Sequence, residues 1–295
     1  MQSHVCAIMV TYNRLQVLQR SLQHVLRQTV QPSLIVIIDN NSDDGTGDYL
    51  ASLSDKKNIH SIRLEDNAGP AGGIAVGMAY GLAGKSFDYF WVLDDDTFYA
   101  PQALEELLHY IQSNHFDMLG LKGANIRFGK KVPLPGMAVV EPAAYAMIDG
   151  AIIKTSVVEK VGIVDERFFM MCEDHEYSIR LHFHGYRVGV LHNGTDERLL
   201  LGGQAGFTRS SLWRGYYSAR NHLLIIRQYF SIMNLLGYFY LQIKLLAAAA
   251  IYAPDRMKRT RLRLTGIWHG LMGKTGKTLD PQTLRFESKQ RSSIN

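Results

Sequence analysis

An apolar run over residues 5–10 opens the chain and meets the polar stretch Thr11, Tyr12, Asn13, Arg14. Leu15, Leu18, Leu22, Val25 and Leu26 then recur at helical spacing, so the opening predicts strand, loop, helix. Residues 34–38 form a second aliphatic run, mostly β-branched, that ends in a cluster of turn formers from Asp39 to Gly45. Residues 61–64 predict a third strand and 72–82 a helix of small side chains. A fourth strand over 89–93 is stopped by Asp94, Asp95 and Asp96, and Pro101 opens a helix through Gln112. Residues 123–142, rich in Gly, Pro and bases, predict a loop or hairpin; strand character returns over 146–153. Residues 168–184 lead into a helix carrying Glu173 to Glu176, and 186–191 predict a last strand ending at His192.

Strands that are apolar throughout and alternate with helices predict an α/β fold with a mostly parallel, Rossmann-like central sheet flanked by helices. The polar clusters sit just after the carboxyl ends of the first, second and fourth strands. Open α/β sheets bind ligands at that edge, so these clusters are expected to share one crevice.

Composition refines this picture. At 46% hydrophobic and 20% charged over 295 residues, the chain can bury a core and is not a disordered polypeptide. Its net charge of +5 hides two unlike parts. Residues 1–205 hold 17 Lys and Arg against 24 Asp and Glu, a balance of −7, whereas 206–295 hold 15 against 3, a balance of +12. The basicity therefore belongs to the tail, and points to a lipid surface and not to nucleic acid. Two cysteines, Cys6 and Cys172, exclude a disulfide framework or a zinc ribbon and fit a reducing compartment. The N-terminus has neither a charged n-region nor a long h-region, so the chain is expected to remain cytoplasmic.

Residues 229–253 contain one charge, Lys244, and are followed by Arg256, Lys258, Arg259, Arg261 and Arg263. That length is sufficient to span a bilayer, but Asn234, Gln242 and Lys244 lie within it. The expected arrangement is a peripheral, amphipathic segment on the inner membrane face with its bases on anionic headgroups. A helix pair closing the domain, or a dimer interface, is the alternative.

Three clusters carry chemistry. Alternation along extended backbone sends Asp94 and Asp96 to one side, where both could reach a divalent cation; hard oxygen ligands suit Mg²⁺ or Mn²⁺. His192, at the same sheet edge, is a candidate third ligand. Glu173, Asp174, His175 and Glu176 begin a helix, and capping accounts for one or two acids there but not three. Asp174 or Glu173 is a candidate general base, while Glu176 and Arg180, four apart, suit an ion pair. The turn from Asn67 through Gly69, Gly72 and Gly73 lets backbone approach a diphosphate or sugar, although such glycines also serve helix packing.

Taken together these residues resemble the family 2 inverting glycosyltransferases of the GT-A fold. The features that carry the resemblance are Val10 to Arg14; Asp39 to Thr46; Asn67 to Gly73; Asp94, Asp95, Asp96; and Glu173, Asp174, in the family's order across roughly residues 5–222. The triple aspartate and the glycine turn, with Tyr216, Tyr217, Arg220, Asn221 and the basic tail, are similar to the bacterial galactofuranosyl- and rhamnosyltransferase branch. The resemblance implies a nucleotide-sugar-binding catalytic domain over 1–205. It also implies a helical region over 206–295 that completes the acceptor side, associates with membrane and offers a surface for homo-oligomers.

By the same resemblance, Thr11, Tyr12, Arg14 and Asp39 would cradle the nucleotide, and Asn67, Gly69, Gly72 and Gly73 would line the donor pocket. Asp94, Asp96 and His192 would hold Mn²⁺ or Mg²⁺, Asp95 would lie near the donor sugar or ribose, and Asp174 would be the base, with Glu173, Glu176 and Arg180 as acceptor contacts or support. The implied reaction moves a sugar, galactofuranose from UDP-galactofuranose first and galactose or rhamnose next, to a lipid-linked surface polysaccharide such as O-antigen. Two rivals stand beside it: a sugar-phosphate nucleotidyltransferase, disfavoured because no glycine-rich loop follows the first strand, and a non-catalytic sugar-binding subunit.

Overall fold

The computed structural model describes residues 3–84, 86–127, 130–192, 195–199 and 211–287. It divides into two compact units, one of Met1–Glu166 with Glu173–Leu201, the other of Arg167–Cys172 with Gly202–Asn295. The expected boundary at 205/206 lies outside the described residues.

The first unit runs β1 (Val5–Thr11), α1 (Leu15–Leu26), β2 (Leu34–Asp39), α2 (Thr46–Ala51), β3 (Ile59–Arg63), α3 (Gly69–Leu82), β4 (Tyr89–Asp94), β5 (Thr97–Tyr99) and α4 (Ala103–Ser113). It continues through β6 (Met118–Gly120), β7 (Gly123–Arg127), β8 (Lys130–Val132), β9 (Val140–Pro142), β10 (Tyr145–Ala146), β11 (Ile152–Lys154), α5 (Thr155–Val161), α6 (Glu173–Phe183), β12 (Val188–Leu191) and β13 (Thr195–Arg198).

An eight-stranded sheet in the order β3-β2-β1-β4-β11-β6-β12-β9 forms the centre. Strand β1 pairs in parallel with β2 on one side and with β4 on the other. The chain thus winds outward through β2 and β3 and returns across β1 to β4, which makes the β1/β4 border the point where strand order reverses. Register brings Thr11 level with Asp39 and Val10 level with Asp94, so three polar strand ends meet at one edge.

Beyond β4 the sheet becomes mixed. Strand β11 is antiparallel to both neighbours, β4 and β6, and β9 is antiparallel to β12. The single strand expected over 146–153 is in fact two short ones, broken at Gly150 with φ +79°. A side chain there would be strained by that φ and would meet Leu121 Cδ1 at 2.9 Å.

Strands β1 and β2 are buried along their whole length, and Leu18, Leu22 and Val25 of α1 turn one apolar face to the sheet. Helix α3 comes closer than a side chain would allow. A Cβ on Gly73, Gly77 or Gly81 would stand 2.5, 2.4 and 2.4 Å from Val10, Ile8 and Phe90 respectively. The β-branched Ile8 has little rotamer freedom with which to yield. Gly77→Ala is therefore expected to destabilise: about 1–3 kcal/mol of overpacking exceeds the ~1 kcal/mol gained in helix propensity. A fall in urea midpoint at unchanged slope is the expected reading, and a raised midpoint would refute it.

The second unit contains α7 (Leu212–Gln228), α8 (Ile232–Tyr252) and α9 (Arg256–Leu271). Gly266 and Gly270 let α9 close on α7, since a Cβ would fall 2.4 Å from Tyr216 O and 2.8 Å from Arg220 O. Phe169, Leu212, Tyr216, Tyr217, Leu262 and Leu279 form its core. Gln242 inside the apolar α8 is buried, and its Oε1 accepts from Arg263 Nη1 at 2.8 Å. Helix α8 is long and apolar enough to cross a membrane by length and composition, and Ile232, Leu236, Tyr240 and Ile243 on it are exposed.

Candidate active site

The ends of β1, β2 and β4 assemble most of the predicted residues. Thr11 Oγ1 donates to Asp95 Oδ2 at 2.7 Å, and the Tyr12 backbone N–H also donates to Asp95. Arg14 Nη1 lies 2.8 Å from Asp95 Oδ1 and 3.4 Å from Asp96 Oδ2. Burial pushes the Asp95 carboxyl up, against the pull of Arg14 and of the Thr11 bond. For Arg14, burial acts against the charge, but Asp95, Asp96 and Asp94 outweigh it and its pKa rises. Arg14, expected at the nucleotide, is thus drawn onto the acidic loop, where it offsets the mutual repulsion of adjacent carboxylates.

Asp39 is buried at the end of β2, with Oδ1 accepting from Ser42 N at 2.9 Å and Oδ2 from Arg63 Nη1 at 2.9 Å. Each carboxylate oxygen keeps a further lone pair for a ligand. Asn67 Oδ1 accepts from Gly69 N at 2.8 Å, and Gly69 takes φ +72° to start α3. Asn40 ties this turn to β2, accepting from Ala68 N at 3.2 Å and donating to Gly69 O at 3.2 Å. A Cβ on Gly73 would meet Val10 Cγ1 at 2.5 Å, so this glycine also lets α3 close on β1, and Gly72 sits where a Cβ would meet Ala68 Cβ at 2.6 Å.

Sequence reasoning missed Asp149. This buried carboxylate accepts from Asp94 N at 2.9 Å, from Thr97 Oγ1 at 2.8 Å and from the Tyr99 hydroxyl, and so braces the whole turn that carries the three aspartates. Its only signal was an Asp-Gly pair, a common turn.

His192, expected as a third metal ligand, lies beside Glu141. It leaves β12 beside β9, where its N–H donates to Val139 O at 2.9 Å and its Nε2 lies 3.2 Å from Glu141 Oε2. The antiparallel β12/β9 register sets that position, and no trio of His, Cys, Asp or Glu side chains that could hold a cation forms among the described residues. Asp94 and Asp96 are the carboxylates expected as the donor set. That set fits Mg²⁺ or Mn²⁺, which take one or two carboxylates and complete their shell with water and substrate phosphates.

The second acidic cluster begins α6. The Tyr145 hydroxyl donates a short hydrogen bond to Asp174 Oδ2, while Asp174 Oδ1 accepts from His175 N at 2.7 Å. Lys131 Nζ stands 3.6 Å over the Tyr145 ring. Tyr145 carried no sequence signal, because only the folding of β10 against α6 brings it there. Glu176 is fully buried and holds Arg180 through Oε1–Nε at 2.9 Å and Oε2–Nη2 at 2.5 Å, and Arg180 Nη1 donates to Ile163 O at 2.8 Å. This pair is support for the helix.

Glu173 Oε2 is buried without a hydrogen-bond partner. Burial, reinforced by the charge of Asp174, pushes the Glu173 carboxyl up to about 8, whereas burial and Lys131 push His175 down to about 4. From ordinary values of 4.5 and 6.5, Glu173 makes stability fall with pH between 4.5 and about 8, and His175 makes it rise between about 4 and 6.5. The two offset one another up to pH 6.5, above which Glu173 acts alone. The melting temperature is expected to drop between pH 6.5 and about 8, and Glu173→Gln to remove the drop. An equal drop in that variant would reject the assignment.

A mostly parallel sheet whose reversal point gathers acidic and polar strand ends, with a second acidic cluster on a following helix, defines a GT-A-like fold. Residues 6–132 match the family model described as "Glycosyl transferase family 2". Galactofuranosyltransferase GlfT1 of Mycolicibacterium smegmatis is 26% identical over 229 residues, which cover 68% of this chain and 75% of that protein. Poly-beta-1,6-N-acetyl-D-glucosamine synthase of Staphylococcus aureus is 23% identical over 246 residues, covering 77% of this chain but only 57% of the synthase. Among solved structures, S. aureus TarS 1–349 superposes with a TM-score of 0.57 at 16% identity, covering 90% of this chain and 80% of that one. The mannosyltransferase PcManGT from Pyrobaculum calidifontis, in complex with GDP-Man and Mn²⁺, does so with a TM-score of 0.59 at 15% identity, over 93% and 88%. At such identities the structural likeness speaks for the fold alone.

Proposed function

We propose that this protein is an inverting glycosyltransferase that moves a sugar from a nucleotide-sugar, UDP-galactofuranose first, to a hydroxyl of a lipid-linked bacterial surface polysaccharide. The observation that carries the reading is the convergence of Thr11, Arg14, Asp39, Asp95 and Asp96 at the β1/β4 reversal point, in the stretch that matches the family 2 model. The likeness to a galactofuranosyltransferase supports the choice of donor.

Asp94 and Asp96 would hold Mn²⁺ or Mg²⁺, which when bound offsets charge on the nucleoside diphosphate leaving group. Thr11, Tyr12, Arg14 and Asp39 bind the nucleotide, Asn67 and Gly69 shape the turn beside it, and Asp95 anchors that edge through Thr11 and Arg14. Glu173 keeps its proton near neutral pH because of its burial, so the base role falls to Asp174. Tyr145 orients the Asp174 carboxylate, which takes the proton of the incoming hydroxyl as that oxygen attacks the anomeric carbon and the sugar–phosphate bond breaks on the far side. The single displacement inverts the configuration.

The second unit, with exposed apolar side chains on α8 and the bases Arg256, Lys258, Arg259, Arg261 and Arg263 on α9, associates peripherally with the inner membrane face, where a lipid-linked acceptor sits.

Thermal shift against UDP-galactofuranose, UDP-galactose, dTDP-rhamnose, UDP-N-acetylglucosamine and GDP-mannose, each with Mn²⁺, tests the reading. A saturating ligand at ~100 times its Kd adds about 2.7 kcal/mol, a rise of several degrees. UDP-galactofuranose is expected to give the largest rise, followed by transfer to a galactose-terminated lipid acceptor. No rise with any donor would refute a nucleotide-sugar site.

A further inference from the structure

The turn that carries the three aspartates depends on a side chain from outside it. The chain entering β11 meets β4 through Gly150 N, which donates to Val92 O at 2.8 Å, and Ala151 O, which accepts from Val92 N at 2.9 Å. Two residues further along β4, the N–H that faces the same neighbour belongs to Asp94. The Asp149 carboxylate takes it, with Oδ1 at 2.9 Å, where a ladder would offer a backbone carbonyl. Gly150 supplies the bend, with φ +79°, and a Cβ on it would stand 3.1 Å from Tyr99 Cε1, so glycine also lets the Tyr99 ring lie close.

The same carboxylate reaches across the turn. Thr97 and Tyr99 of β5 are two apart and so share one face of that strand. Both donate their hydroxyls to Asp149, Thr97 Oγ1 at 2.8 Å to Oδ2 and the Tyr99 hydroxyl to Oδ1. All three residues are buried. A carboxylate, which only accepts, suits three converging donors, and it here joins the last residue of β4 to the strand after the turn. Other elements hold the backbone beyond Asp94: Ser21 Oγ of α1 donates to Thr97 O at 3.0 Å, and Leu199 N donates to Asp96 O at 2.9 Å. At the Asp94 N–H the hold comes from Asp149.

We propose that Asp149 is a positioning residue for the divalent cation: by fastening Asp94 N to Thr97 and Tyr99 it sets the distance between the two ends of the turn, and hence the aim of the Asp94 and Asp96 carboxylates. The inference rests on the reading of those two aspartates as ligands of the cation and adds a residue that acts through the backbone of Asp94.

The test uses the full chain and calorimetry with UDP in the presence and absence of Mn²⁺, the ratio of the two affinities being the gain from the ion. Asp149→Ala is expected to reduce that gain by about 10- to 100-fold, the usual cost of losing a group that orients a metal ligand, while affinity for UDP alone stays within about twofold. Asp149→Asn is expected to keep the gain within about threefold of the parent, because its Oδ1 can still accept from Asp94 N and the Tyr99 hydroxyl while its Nδ2 donates to Thr97 Oγ1. A gain within about threefold of the parent in Asp149→Ala would overturn the proposal. So would an equal fall in the two variants, which would assign the effect to charge, or a parallel loss of UDP affinity without the ion, which would make Asp149 a general support of the fold. Should Asp149→Ala not fold, Asp149→Ser, whose hydroxyl is too short to reach Asp94 N, is judged by the same outcomes. If the parent itself shows no gain from Mn²⁺, the cation reading fails and the proposal falls with it, whereas a parent gain that survives Asp149→Ala rejects the proposal alone.

Discussion

Asp174→Asn is expected to lower turnover by about 10²- to 10⁴-fold, the contribution usual for a general base, while donor affinity stays within a few fold. The substitution is close to isosteric. The amide oxygen can still accept from the Tyr145 hydroxyl, as Asp174 Oδ2 does, so the helix start and its neighbours stay in place. What is lost is the capacity to take a proton. Glu173 cannot substitute in the native enzyme near neutral pH, because burial and the Asp174 charge push its carboxyl up to about 8. In Asp174→Asn the second of those causes disappears while burial remains, so residual activity, if detectable, should rise with pH. Single-turnover kinetics alongside calorimetry with UDP would decide the matter, and unchanged kcat would remove Asp174 from the reaction.

The other large effect is expected at the aspartate loop. Asp94→Ala and Asp96→Ala should each abolish most of the gain in UDP affinity that Mn²⁺ confers, a loss of about 10- to 100-fold read as the difference between isotherms with and without the ion. Where one or two carboxylates supply all the protein ligands of a divalent cation, removal of either leaves too few. Asp95→Asn should behave differently. The residue is 3% exposed and its carboxylate is bonded to Thr11 and Arg14, so its loss is expected to cost about 1–2 kcal/mol of stability, tempered by the partial exposure of Arg14. Identical isotherms for Asp96→Ala and the native chain would exclude the cation site.

Much of this architecture was legible in the residue order. Strands β1, β2 and β4 are continuous apolar runs because both of their faces are covered, and each ends in a polar cluster because the chain there leaves the sheet for the ligand edge. The pair Glu176 and Arg180 announced itself by helical spacing. The glycines of α3 were legible as a set but not in function: spacing shows that three small residues line one helix face, and only the positions of Ile8, Val10 and Phe90 tell that this face is pressed on the sheet.

The remaining features depend on pairings between distant segments. The antiparallel insertion of β11 between β4 and β6 carries Asp149 to the backbone of Asp94, across 55 residues of chain. The β12/β9 register draws His192 to Glu141. The fold of β10 brings Tyr145 to Asp174, 29 residues away.

By itself the sequence determined the strand–helix alternation, the gathering of polar residues after the strands, the two acidic clusters and the contrast in charge between residues 1–205 and 206–295, since each is a local pattern of residue types. Which carboxylate keeps its proton and the placing of Arg14 against Asp95 and Asp96 were decided by tertiary structure alone. Burial and the distance between charges set those properties, and neither exists until remote segments have packed together.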